Sequence, residues 1–214
     1  EEPDDQGGYL KNRIARVEQL LAEIPGSVWI NQYANARNWQ AHYYGEGEEI
    51  AAELDGAPDH LIVGVSTCGT IIGLARRLRE LYPGLRVIAV DAVGSVIFGP
   101  PGPRELPGLG ASRVPELLQR DEVDEVVHVC DSDAALGCRL LLRHEGIFAG
   151  GSSGSVVAAL RLLLPRLPRP CRVLTLLPDR GERYLDTVYD DDWLTRVRAR
   201  ERVALSPARH RNGI

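Results

Sequence analysis

The stretch Gly64-Val65-Ser66-Thr67-Cys68-Gly69-Thr70-Ile71-Ile72-Gly73 decides the fold. An apolar run, His60 to Val65, leads into it, and an amphipathic run, Thr70 to Tyr82, leads out. Apolar run, small-residue turn and helix start predict a strand that hands over directly to a helix. Such a junction aims free backbone N–H groups and the positive end of the helix dipole at an anion. Thr67 and Thr70 add two hydroxyls inside the turn, which suits a phosphate. A purely structural turn is the alternative. A dinucleotide site is the weaker reading, although Asp91 ends the next strand where a ribose-binding acid belongs. Ser66 stands where that fingerprint needs a glycine for close approach to a pyrophosphate. A single phosphate needs no such clearance.

Working outward, Leu10, Ile14, Val17, Leu20 and Leu21 mark one face of a helix that Pro25-Gly26 ends. Val28 to Asn31 reads as a short strand. Trp39 to Leu54 reads as a helix weakened in the middle by Gly45 and Gly47. After the strand at 60–65 and the helix at 70–82, Val87 to Val93 is the next strand. Residues 94–112, rich in proline and glycine, form a long loop of the kind that is usually functional. A short helix near Pro115 to Gln119, a strand at Val126 to Val129 and a helix capped by Asp131 or Ser132 and running to Arg143 follow. Gly150 to Gly154 opens a helix reaching Leu164, and Arg172 to Leu177 is the last strand. Strands alternating with helices predict an α/β fold, a parallel sheet with helices on both faces.

The chain has 214 residues and a net charge of −5, so no general basic field draws nucleic acid or an anionic membrane. Arg196, Arg198, Arg200, Arg202, Arg209 and Arg211 crowd the end without interleaved aromatics, which predicts a solvated tail. Cys68, Cys130, Cys138 and Cys171 lack metal-site spacing and read as reduced thiols of a cytoplasmic protein. No apolar run is long enough to span a membrane. The chain has no methionine and a single lysine, Lys11, and it opens on an acidic run, so it reads as part of a longer one.

Two further motifs follow apolar stretches. Gly150-Gly151-Ser152-Ser153-Gly154 opens a helix, and Leu177-Pro178-Asp179-Arg180-Gly181-Glu182-Arg183-Tyr184 follows the last strand. Alone, the first is an ordinary N-cap and the second a salt-bridged turn. In this order, with Gly64 to Thr70, they resemble the fold-type II pyridoxal-phosphate enzymes of the cysteine synthase family. Gly64-Val65-Ser66-Thr67-Cys68-Gly69-Thr70 is similar to that family's phosphate cradle G-x-G-T-G-G-T, with Ser66 and Cys68 in place of glycines. Gly150 to Gly154 resembles its pyridine-nitrogen motif. Pro178 to Tyr184 resembles its P-D-[ST]-G-E-R-Y, with Arg180 replacing the hydroxyl residue. Gly7-Gly8-Tyr9-Leu10 and Asn31-Gln32-Tyr33-Ala34-Asn35 are similar to segments before the cradle. Ser66, Cys68, the run Val90 to Gly99 and Gly108-Leu109-Gly110-Ala111-Ser112 look like one branch, the N-(2-amino-2-carboxyethyl)-L-glutamate synthases.

The resemblance implies pyridoxal phosphate as cofactor and a β-replacement joining O-phospho-L-serine to L-glutamate, toward 2,3-diaminopropionate for siderophores or peptide antibiotics. It implies that Ser66, Thr67, Cys68, Gly69 and Thr70 hold the cofactor phosphate and that Ser152 faces the pyridine nitrogen. A neutral hydroxyl there leaves that nitrogen unprotonated. Gln32 matches the substrate-carboxylate contact, and Gly108, Gly110, Ala111 and Ser112 border the substrate. Arg113 is a candidate for the phosphoserine phosphate, since a guanidinium fork suits it; a surface arginine is the alternative. His42 and His144 lie outside the motifs and read as surface or structural, and Cys68 as a small residue packed under the cofactor. The family's Schiff-base lysine and ring-contacting asparagine precede the part of the family pattern matched here, and Lys11 does not match that lysine. The implied division is 1–35 as a remnant of the smaller lobe, 36–195 as the cofactor-phosphate domain and 196–214 as a basic tail. A homodimer without nucleic-acid or membrane partners is implied. The alternatives are a cysteine synthase using sulfide and a lysine-less, non-catalytic cofactor-binding fragment or partner subunit.

Overall fold

The computed structural model describes residues 10–205. Four strands, β1 (His60–Gly64), β2 (Arg86–Ala92), β3 (Glu125–Val129) and β4 (Val173–Thr175), form one sheet in the order β3-β2-β1-β4. Every pairing is parallel, with Ile62 of β1 beside Ile88 of β2 and Thr175 of β4. Because side chains alternate along a strand, β1 and β2 feed two separate cores. Leu61, Val63, Val87 and Ala89 pack on one face against α4 (Gly69–Leu81), whose Ile71, Ile72, Leu74 and Leu78 are buried. Ile62, Ile88 and Val90 pack on the other against α5 (Asp131–Glu145) and α6 (Gly151–Leu163). The expected three layers, helix, parallel sheet and helix, are present.

Several elements differ in detail from the expected ones. The helix α1 (Leu10–Glu23) forms as its periodicity predicts, but none of its residues is fully buried. Val28 to Asn31 is not a strand: Val28 and Ile30 are 84% and 74% exposed and pair with no strand. The helix expected over 39–54 is divided into α2 (Arg37–Tyr44) and α3 (Glu46–Glu53), with Gly45 between them. No helix forms over 115–119; a 3-10 turn occupies Arg120–Glu122 instead. The start of α5 is not capped by Asp131 or Ser132. Cys130 holds the cap position, and the Asp131 carboxylate accepts the backbone N–H groups of Glu105 and Leu106 at 2.7 and 3.4 Å.

The expected tail at 196–214 is a helix for its first ten residues, as part of α7 (Asp191–Leu205). Trp193, Leu194 and Val197 are buried against the core of α5 and α6, and only the other faces carry arginines. Arg196 and Arg200 both reach Glu105 in the long loop. Arg209 and Arg211, like Gly7, Gly8 and Tyr9, lie outside the described residues.

Candidate cofactor site

Sheet order brings the three motifs together. β1 and β4 are neighbours and parallel, so Ser66 to Thr70 and Pro178 to Tyr184 leave the sheet at the same carboxyl edge. The backbone then ties in the third motif, since Gly150 N–H donates to Asp179 O at 3.0 Å and Gly181 N–H to Phe148 O at 3.1 Å. Together they wall a cleft of about 560 Å3, lined among others by Gly64, Ser66, Thr67, Cys68, Thr70, Gly108, Ser152 and Asp179. That volume is within the range of small-molecule sites, and the carboxyl edge is where ligands bind in open α/β sheets.

The cradle fits a phosphate. The first backward helix bond at α4 runs from Ile72 N–H to Cys68 O, so the N–H groups of Gly69, Thr70 and Ile71 precede the ladder. Cys68 sits at the cap with φ +64°, the left-handed conformation that glycine adopts freely. The backbone thus keeps the geometry of the glycine pattern although the residue is cysteine. The Asn38 amide donates to Gln32 O at 2.7 Å and to Thr67 Oγ1 at 3.1 Å. Thr67 accepts that bond and keeps its hydroxyl hydrogen for a ligand. A Cβ on Gly69 would collide with this same Asn38 amide. Burial, then the charge of Asp91, pushes the Cys68 thiol up to about 12. A thiol so held stays protonated near neutral pH, which supports a packing role rather than a nucleophile's.

The long loop folds back over the end of β1. Gly110 N–H donates to Val65 O at 2.7 Å, Ser66 Oγ to Gly110 O at 3.2 Å, and Leu109 fills the space a side chain at Gly64 would need. Gly108 lines the cleft, while Gly110, Ala111 and Ser112 stand behind it. Ala111 is anchored through its N–H to the buried Ser95 hydroxyl at 3.1 Å. Arg113 is not brought to the cleft lining; it pairs with Glu116 and lies 5.3 Å from the Tyr33 ring centroid. Asp91 is fully buried and accepts the N–H groups of Ala92 and Phe98 at 2.9 and 3.1 Å. Its carboxylate ties down the loop and is unavailable to a ribose.

Three participants were not legible as site residues. His42 and Glu46, read as surface or unremarked, line the cleft. Glu46 Oε2 is 2.7 Å from His42 Nδ1, and His42 Nε2 is 3.1 Å from Thr70 Oγ1. Asp179 accepts the Ser152 hydroxyl at 3.2 Å and the Tyr184 hydroxyl at 2.6 Å. Burial, followed by that bond to Asp179, raises the Tyr184 hydroxyl above its ordinary range, so it stays protonated and donating. The i, i+4 spacing of His42 and Glu46 was the available signal, but it did not show that Thr70 and the cleft lie beside them.

A parallel sheet with helices on both faces carries a glycine-rich strand–helix turn at its carboxyl edge, and a serine at a second helix start lines the same cleft. The family model described as pyridoxal-phosphate dependent enzyme matches residues 5–179, and the chain belongs to that family. It is 68% identical over 197 residues to the N-(2-amino-2-carboxyethyl)-L-glutamate synthase of Ralstonia nicotianae, covering 92% of this chain and 58% of that protein. It is 63% identical over 204 residues to the enzyme of the same name in Cupriavidus metallidurans, covering 94% of this chain and 60% of that one. The chain therefore spans less than two thirds of the length of these relatives. Among solved structures, the O-acetylserine dependent cystathionine beta-synthase of Helicobacter pylori is similar at a TM-score of 0.78 and 32% identity, over 83% of this chain and 58% of that one. A hydrogen sulfide-producing enzyme complexed with an alpha-aminoacrylate intermediate is similar at 0.79 and 27%, over 90% of this chain and 61% of that one. Among the described residues, no helix is long and apolar enough to cross a membrane.

Proposed function

We propose that this chain is the cofactor-phosphate part of a synthase that joins O-phospho-L-serine to L-glutamate, giving N-(2-amino-2-carboxyethyl)-L-glutamate. The observation that carries the reading is the 68% identity over 197 residues to a relative so named, on a chain whose cradle, Ser152 and loop converge on one cleft. When bound, pyridoxal phosphate supplies the electron sink that lets a β-substituent leave and a nucleophile take its place. The protein's part is orientation and charge. Ser66 to Thr70 would hold the phosphate through N–H groups and two hydroxyls, and Ser152, at the start of α6, would turn its hydroxyl from Asp179 to the ring nitrogen. Gly108 walls the cleft, backed by Gly110, Ala111 and Ser112. The Gln32 backbone carbonyl is tied to Thr67 through the Asn38 amide, and the Gln32 side chain is the candidate for the substrate carboxylate. Arg113 would have to release Glu116 to meet a substrate phosphate. Lys11 does not match the family's Schiff-base lysine, and no residue of this stretch is assigned that role. The enzyme acts on small amino acids as a cytoplasmic homodimer.

The test is a product assay on this chain extended to the full length of its relatives. Turnover of O-phosphoserine with glutamate is expected to exceed that of O-acetylserine with sulfide. The reverse preference removes the substrate assignment and leaves the family standing. Sedimentation of the same protein tests the dimer.

A further inference from the structure

Behind the cradle stands a pair that phosphate binding alone does not require. His42 of α2 faces Glu46 of α3 through Nδ1, at 2.7 Å, and Thr70 of α4 through Nε2, at 3.1 Å. An ionised carboxylate only accepts, so the 2.7 Å contact assigns a hydrogen to Nδ1. In the neutral ring Nε2 then carries the lone pair, and Thr70 must donate its only hydroxyl hydrogen to it. Thr70 in that state shows the cleft two lone pairs, the wrong face for a phosphate. If Nε2 gains a proton the bond reverses. The imidazolium donates to Thr70 Oγ1, and the hydroxyl hydrogen turns to the ligand. We propose that His42, held by Glu46, is the positioning residue that sets the direction of the Thr70 hydroxyl, and that seating a phosphate monoester in the cradle is coupled to proton uptake at His42 Nε2.

Among the described residues, Thr70 is the hydrogen-bond partner of that nitrogen. Charged groups of α4 packed nearby are Arg76, whose guanidinium lies 4.3 Å over the Trp39 ring, and Arg77, whose stem lies against Gly47. Its guanidinium pairs with Glu48 at 2.8 Å and Glu80 at 3.3 Å. Tyr43, next to His42, donates to Glu80 at 2.6 Å. Across the cleft are the neutral thiol of Cys68 and Asp179, which already accepts from Ser152 and Tyr184. The step balances as one proton from solvent onto Nε2 for each dianionic phosphate bound, with the hydroxyl hydrogen redirected and no bond to carbon made or broken.

This inference rests on the cleft being a pyridoxal-phosphate site, and the experiment separates the two. Apo full-length enzyme is titrated with 4′-deoxypyridoxine 5′-phosphate, which has no aldehyde and so no Schiff base to titrate. Calorimetry at pH 8 in buffers of different ionisation enthalpy counts the protons. Wild type is expected to take up about half a proton or more per ligand beyond what His42→Gln takes up, the analogue's own ring-nitrogen and phosphate protons being common to both. His42→Gln, which keeps a donor beside Thr70, and Thr70→Val, which removes the hydroxyl but leaves His42, are expected to lose that uptake. Thr70→Ser is expected to retain it. Equal proton counts for wild type and His42→Gln overturn the coupling while the cofactor site stands. No binding of the analogue to wild type overturns both.

Discussion

At the scale of single residues, the cradle reconciles two demands. Cys68 holds a left-handed backbone at φ +64° while its thiol is 3% exposed. A non-glycine residue there costs roughly 1–2 kcal/mol, and burying the thiol offsets much of it. Cys68→Gly is therefore expected to change stability by no more than about 1 kcal/mol, read from the denaturation midpoint. Because the thiol is held at about 12 by burial, iodoacetamide at pH 8 should leave Cys68 unmodified in the folded protein. Carboxymethylation detected there by mass spectrometry would show an activated thiol and contradict the packing role. Gly69 has a different reason to be glycine, since a Cβ would displace the Asn38 amide that joins Gln32 to Thr67. Gly69→Ala should leave the helical circular dichroism unchanged and weaken cofactor-analogue binding by about tenfold or more, for strain of roughly 1–3 kcal/mol. Unaltered affinity would mean that Asn38 does not shape the cradle.

At the scale of elements, the helices that carry the site are placed by glycine contacts that the sequence motifs did not announce. Gly154 reads as part of a cofactor motif, yet a Cβ on it would meet Ala134 O and Cys138 Sγ. A Cβ on Gly137 would meet Gly154 O. The two residues let α5 and α6 approach backbone to backbone, which fixes where Ser152 at the start of α6 stands. Each alanine substitution is expected to destabilise by about 1–3 kcal/mol. Because both fill one gap, the double variant should fall short of the sum. Thermal melts of the three variants decide it; strict additivity would mean the helices yield independently. Gly137 lies inside a helical pattern, where a lone glycine signals only lowered propensity. Its partner becomes visible only once the helices are packed.

At the scale of the whole molecule, the long loop and the last helix are one device. Glu105 accepts from Trp193 Nε1 at 3.0 Å and from Arg196 at 2.8 Å, and pairs with Arg200, while Arg200 also reaches Asp131 at 3.1 Å. These bonds hold α7 against the segment leading to Leu106 and Gly108 at the cleft. The bond to Arg196 first, then the nearby Arg200, holds the Glu105 carboxyl below its usual range. A depressed acid stabilises the fold above its unfolded value, and the contribution disappears as pH falls through the folded one. Glu105→Gln is therefore expected to cost about 1 kcal/mol at pH 7, since the pair is partly solvated. The difference from wild type should shrink toward zero below about pH 4. Urea melts of both proteins from pH 3 to 8 measure it, and a gap that persists or widens in acid would reverse the sign argued here.

Local pattern was enough for the strand–turn–helix junction, the parallel sheet and the alternating helices. Each depends on periodicity and turn chemistry within about a dozen residues. The helix at 191–205 was masked because its buried face, Trp193, Leu194 and Val197, is set among arginines that read as a solvated run. Val28 to Asn31 has strand composition, but a strand exists only where a neighbour accepts its hydrogen bonds, and none is paired with it here. The pairing of His42 with Glu46 and Thr70, of Gly137 with Gly154 and of Glu105 with Arg196 joins residues 4 to 91 positions apart. Sequence determined which residues were capable of these contacts. Only the packing of helices on the sheet decided which met, because contact energy depends on distances that no local pattern contains.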